Sequence, residues 1–121
     1  MSTEIDFDQA TQHAIPEGKH IVSVDHIDIR NGKESGIPFY NWRFRITDGA
    51  HANRCLFTKT SLAPTALWRL QELLSALGLQ CDRKINFEPE AILGKQLIVK
   101  VKHKEFNNTL QEEIARFKPL D

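Results

Sequence analysis

Three features of this 121-residue chain predict a mainly β protein of one domain. Segments with two-residue apolar alternation recur on either side of the chain's middle. A single stretch between them carries helical spacing, and Gly-, Pro-, Asn- and Asp-rich turns separate the segments. The order is three strands, one helix, two strands.

The first 14 residues are acidic and show no period, so they read as a mobile leader ahead of a domain spanning 15–121. "IPEGKH" (Ile15 to His20) is a turn punctuated by Pro16 and Gly18. It leads into "HIVSVDHIDIR", whose apolar phase shifts between Val22/Val24 and Ile27/Ile29. One sheet face accepts both sets only if a β-bulge resets the register between them. "NGKESG" is a turn by composition. "FYNWRFRI" then sets Tyr40, Trp42, Phe44 and Ile46 on one face and Phe39, Asn41, Arg43 and Arg45 on the other. Asp48-Gly49 marks a hairpin connection to "RCLFTKT", with Leu56 and Thr58 on one face and Cys55, Phe57 and Lys59 opposite.

From Ser61 the spacing changes. Leu67, Leu70, Leu74 and Leu77 recur at helical intervals with Trp68 flanking them, which assigns all five to the core. Thr65 is the expected N-cap and Gly78 the C-terminal stop. A loop follows, with one turn near Pro89 to Ile92. "KQLIVKVKHK" is the fourth strand, with Leu97, Val99 and Val101 alternating with Ile98, Lys100 and Lys102. "EFNNT" reads as a loop and "LQEEIARFKPL" as a fifth strand, although Glu112, Glu113 and Ala115 also suit a short terminal helix. Five strands with a helix between the third and fourth match the small barrel of the oligonucleotide/oligosaccharide-binding (OB) type.

Sixteen basic and sixteen acidic side chains cancel, which argues against binding through bulk positive charge. The charges are segregated, however. Residues 1–17 hold no Lys or Arg, residues 38–60 hold Arg43, Arg45, Arg54 and Lys59 against Asp48 alone, and residues 94–104 hold four lysines and no acid. Such asymmetry points to an anionic partner. Cys55 and Cys81 form no CxxC and no disulfide framework, so they read as free thiols of a reducing cytoplasm. No apolar run approaches the roughly 20 residues of a membrane span.

Chemistry has little foothold in this sequence. His13, His20, His26, His51 and His103 are scattered, and no P-loop, GxSxG or GxGxxG occurs. Asp25/Asp28 and Glu112/Glu113 look like solvated positions. No catalytic residue, metal site or cofactor is expected, and the protein is not read as an enzyme. The outward side chains of strands two and three offer a different combination. Arg43, Arg45, Arg54 and Lys59 are placed to neutralise phosphates, and Phe39 and Phe57 to stack on bases. Tyr40 is a weaker stacking candidate, since alternation puts it in phase with Trp42. Lys100 and Lys102 form a second basic patch, with Phe106 on the following loop. Edge-strand lysines equally serve to block aggregation.

The succession "IPEGKHIVSVDHIDI", "SGIPFYNWRFRITDG", "RCLFTKTSL", "ALWRLQELLSALGL", "ILGKQLIVKVKHKEFNN" and "IARFKP" resembles a family of small phage- and prophage-encoded proteins. That family has long been filed as a domain of unknown function and is regarded as OB-fold single-stranded-DNA-binding proteins. The resemblance covers Ile15 to Pro119. It implies sequence-tolerant binding of single-stranded DNA in phage DNA replication or recombination, in the cytoplasm of a bacterial host. Replication or recombination proteins would be the partners, and the arginine strand and the lysine strand the binding elements. The closing "FKPLD" lacks the acidic tail through which many single-strand-binding proteins recruit partners. RNA stays open as a ligand, and an unpaired edge strand would allow a homodimer by strand addition. The rival reading is a protein-interaction barrel, an accessory subunit or an inhibitor of a host nuclease, with the exposed aromatics as anchors.

Overall fold

The computed structural model describes residues 2–3, 15–81 and 84–120, with the side chains of Phe106 and Thr109 outside that description. Apart from Ser2 and Thr3, the acidic leader therefore lies outside the described residues. Five antiparallel strands form one sheet: β1 (Gly18–Asn31), β2 (Pro38–Ile46), β3 (Cys55–Ser61), β4 (Gln96–Phe106) and β5 (Thr109–Lys118). The spatial order is β3-β2-β1-β4-β5, and the one α-helix, α1 (Leu67–Ala76), lies between β3 and β4 in the chain. Single 3-10 turns occupy Pro64–Ala66 and Pro89–Ile92.

β1 is the hinge of the sheet. Its first part, Gly18 to Ser23, pairs with β4, and its longer part, from Val22 on, pairs with β2. The register with β2 slips between Val24 and His26, leaving Asp25 as the extra residue. This is the bulge that the phase shift requires. Val22 and Val24 stay in the core, Asp25 and His26 both turn outward, and Ile27 returns to pack against the core. Ile29 lies past the core's edge and is exposed.

Beneath the sheet, Trp42 and Phe44 stack with centroids 5.9 Å apart, and Phe44 meets Phe117 at 6.2 Å. Trp42 Nε1 donates to Thr60 Oγ1 at 2.8 Å, so the buried indole N–H has its partner. Tyr40 lies on this same side, edge-on to Phe87 at 5.3 Å.

The helix ends as expected and begins otherwise. Gly78 takes φ +91°, its N–H bonds Ser75 O and that of Leu79 bonds Leu74 O, which is a Schellman closure. The predicted Thr65 cap does not form. Thr65 lies in the 3-10 turn, the N-cap position falls to Ala66, and no side chain caps the helix. The buried face consists of Leu70, Leu73, Leu74, Ala76 and Leu77. Trp68 and Leu67, expected in the core, are 61% and 41% exposed. At 100° per residue Trp68 falls nearly opposite the centre of the buried stripe.

The β4–β5 connection is tighter than the predicted loop. Asn107 and Asn108, both at positive φ (51° and 61°), make a two-residue turn of the I′ kind. Phe106 therefore closes β4 opposite Thr109 and is not a loop residue. The strand alternative for the C-terminal segment is the one that forms, not the helix.

β3 and β5 are the sheet's two edges. They approach each other, but no ladder joins them among the described residues. Arg69 of α1 spans the seam, its Nη2 donating to Thr58 Oγ1 at 3.0 Å and to Ile114 O at 2.7 Å while the guanidinium covers Phe117. Glu72 ties the helix to β5, accepting from Phe117 N–H at 2.8 Å and Arg116 Nε at 3.1 Å. Burial alone would raise the Glu72 pKa. Those two donors outweigh it and hold the carboxyl below its ordinary value.

Candidate functional site

The outward face of β1, β2 and β3 is built in cross-strand rows. His26, Arg43 and Phe57 lie side by side, as do Asp28, Asn41 and Lys59, and then Arg30, Phe39 and Ser61. A groove of about 390 Å³ opens on this face, lined by the first two rows with Arg30 at one end. Phe57 is 67% exposed, and it stands next to Arg43. Such a ring has lost its hydrophobic stabilisation and is available as a stacking platform. Phe39 is half-buried under Lys59, whose Nζ lies 5.3 Å from the ring centroid.

Asp25 arranges the two arginines. Its Oδ2 accepts from Arg43 Nε at 2.6 Å and from Arg45 Nη2 at 3.3 Å, while Oδ1 accepts from Arg45 Nε at 3.3 Å. The bulge makes this possible by turning Asp25 outward beside His26. The Arg45 hydrogen bonds and then that of Arg43 hold the Asp25 carboxyl below its ordinary value, and Asp25 in turn raises Arg45. The folded-state value lies below the unfolded one. The pair therefore supports the fold above the usual carboxylate range and fades as the pH falls through the lowered value.

The two arginines end up unequal. Arg45 uses Nε and Nη2 on Asp25 and aims Nη1 at Asn53 O, 3.5 Å away. Arg43 engages Asp25 through Nε alone, and its two terminal nitrogens have no hydrogen bond among the described residues. Arg43 thus presents an oriented fork to the groove.

The structure brings together Arg43, Phe57, Lys59 and Phe39 of the expected residues. Arg54 stands just ahead of β3, with Nη1 3.2 Å from His51 Nδ1. Tyr40 is not on this face. Lys100 and Lys102 are exposed but belong to a separate patch: Lys100 pairs across with Lys19 and Arg116, and Lys102 with Glu113. Lys19 and His26 are seven β1 positions apart, roughly 20 Å along the strand. The side chain of Phe106 lies outside the described residues.

The residues missed from the sequence are all on β1: Asp25, His26, Asp28 and Arg30. Asp25, read as solvated, is half-buried and paired. The signal that could have found them is the Val/Ile phase shift, because the bulge it requires turns this set to the polar face. Asp28 and Arg30 pair at 2.7 Å but are well exposed, so that contact adds little stability. No group of potential metal ligands occurs among the described residues, nor any helix long and apolar enough to cross a membrane.

One comparison decides the affiliation: the family described as "Protein of unknown function (DUF669)" matches residues 4–121. The chain belongs to the DUF669 family. No curated protein matches it. With DUF669 covering nearly the whole chain, the β1–β3 groove, the Arg69 seam and the lysine patch all lie within the family's single matched region.

Proposed function

We propose that this DUF669 protein binds single-stranded DNA, largely without regard to sequence, through the outward face of β1, β2 and β3. The observation that carries the reading is Phe57, a bare ring between Arg43 and Lys59 on the rim of an open groove. A strand with stacked bases and regularly spaced phosphates matches that alternation of ring and cation. Arg43 and Lys59 contact phosphate in the groove, Arg54 extends the track at the hairpin end, and Phe57 receives a base, while Phe39, capped by Lys59, supports that lysine.

The same reading treats the sheet as an OB-type barrel left partly open. A bent β1 shared by β2 and β4, a helix between β3 and β4, and a β3/β5 seam spanned by Arg69 support it. Binding by the strand-two and strand-three face is the usual use of that architecture. A phage or prophage setting, with a role in DNA replication or recombination in the bacterial cytoplasm, accompanies this proposal.

Fluorescence anisotropy of a labelled oligo(dT) of about 30 nucleotides tests it. Binding should weaken steeply between about 50 and 200 mM salt, with a log–log slope near −2 from three phosphate contacts at about 0.7 each. Unlabelled duplex should not displace the oligonucleotide. Absence of binding at low salt would end the proposal.

A second reading, a protein-interaction module, is favoured by the apolar end of the helix. Leu67, Trp68 and Ile85 are all exposed and border one groove of about 530 Å³. Binding through that surface would be insensitive to salt.

A further inference from the structure

The row between the two aromatic positions holds hydrogen-bonding groups and not only charge. Asp28, Asn41 and Lys59 are direct cross-strand neighbours. Asp28 Oδ2 accepts from Arg30 Nε at 2.7 Å, and no hydrogen bond to Oδ1 is formed among the described residues. The Asn41 amide likewise has no partner among the described residues. A carboxylate is out of place on a surface that serves only phosphates, because it repels them. An acceptor beside an unpaired amide, within a groove and next to an exposed ring, suits the edge of a nucleobase.

We infer that Asp28 and Asn41 form a base-reading position that favours cytosine or adenine over thymine. The inference rests on the single-stranded-DNA reading above and gives it a specificity that sequence-tolerant binding lacks. Neighbouring strands lie about 4.8 Å apart, so a base stacked on Phe57 at β3 extends its hydrogen-bonding edge over β2 towards β1. Cytosine and adenine each carry an exocyclic amine next to an unprotonated ring nitrogen. The amine donates to Asp28 Oδ1, and the Asn41 Nδ2–H donates to the ring nitrogen. Thymine in the same pose sets its O4 carbonyl against the carboxylate, two acceptors facing each other. Arg30 and Lys59, at the two flanks, leave the backbone of the strand its phosphate contacts.

The test compares oligo(dC) with oligo(dT), two pyrimidines of similar stacking size, by anisotropy at one salt concentration and pH about 7.5. The native protein should bind oligo(dC) about fivefold to tenfold more tightly. Asp28→Asn replaces the acceptor with a group that can also donate to O4, and should abolish or invert that preference. Asn41→Ala should reduce the preference while leaving the salt dependence of oligo(dT) binding unchanged. Equal affinity of the native protein for both oligonucleotides would overturn the inference and leave the DNA-binding proposal standing. So would a cytosine preference that survives both substitutions. Failure to bind either oligonucleotide would overturn the DNA-binding proposal itself, and this inference with it.

Discussion

Arg43→Ala is expected to weaken oligo(dT) binding about tenfold and to reduce the magnitude of its log–log salt slope by about 0.7. The loss should be the same for every homopolymer, because a phosphate contact carries no base information. Arg45→Ala is the internal control. Composition makes the two residues equivalent, since they sit two apart on one strand with Phe44 between them. Geometry separates them: Arg45 is held through three nitrogens, two of them on Asp25, whereas Arg43 gives Asp25 one and keeps its fork free. Removing Arg45 should leave the salt slope unchanged, because Arg43 retains its own 2.6 Å contact with the carboxylate. Salt titrations of the two variants measure this directly. A slope that falls in Arg45→Ala and not in Arg43→Ala would reverse the assignment.

Trp42→Ala should have the largest effect on stability, about 3–5 kcal/mol. That is a large part of the roughly 5–15 kcal/mol typical of a whole domain. The side chain is 1% exposed and packs against Phe44 and Phe87. Its loss leaves a cavity in the core bordered by Phe44 and Phe87, which close it only in part. Trp42→Phe isolates the polar part of the loss. It keeps most of the volume but strands the fully buried Thr60 hydroxyl, which loses the indole N–H donor that serves it among the described residues, at about 1–3 kcal/mol. Urea denaturation followed by far-ultraviolet circular dichroism should rank the native protein above Trp42→Phe and that above Trp42→Ala. A Trp42→Ala variant within about 1 kcal/mol of the native protein would contradict the packing described here.

Period-two alternation was enough to place β2, β3 and β4 and the core residues Trp42, Phe44, Ile46, Leu97, Val99 and Val101, because one buried face fixes the phase. The bulge at Asp25 was legible for the same reason, since Val24 and Ile27 can share a face only if a residue is inserted between them. The outward turn of Trp68 was legible but misread, since at 100° per residue it falls nearly opposite Leu70 and Leu77, whereas the exposure of Leu67 was not legible. Helical spacing shows that a stripe exists, but which residues overhang the sheet depends on where the helix is docked. The β4–β5 turn was missed because Asn-Asn was read as loop composition, whereas two consecutive asparagines in left-handed backbone make a tight hairpin.

Within the site, Arg43, Phe57 and Lys59 could be read from alternation along two strands. The Asp25 clamp could not. It joins residues 18 and 20 positions apart, and whether a guanidinium faces a carboxylate or solvent is a matter of side-chain geometry that spacing does not specify. Strand pairing likewise separated Lys100 and Lys102 from the groove, since their neighbours are set by β1 and β5 and not by their own run of lysines.

The most direct test of the central claim is an amide chemical-shift titration of the ¹⁵N-labelled protein with oligo(dT). The largest shifts should fall on Asn41, Arg43, Phe57 and Lys59, with His26 and Asp28 of β1 following the same titration curve. Trp68 and the helix should not move. Shifts concentrated on Leu67, Trp68 and Ile85, with the β1–β3 face unchanged, would contradict the account and place the working surface at the far end of the helix.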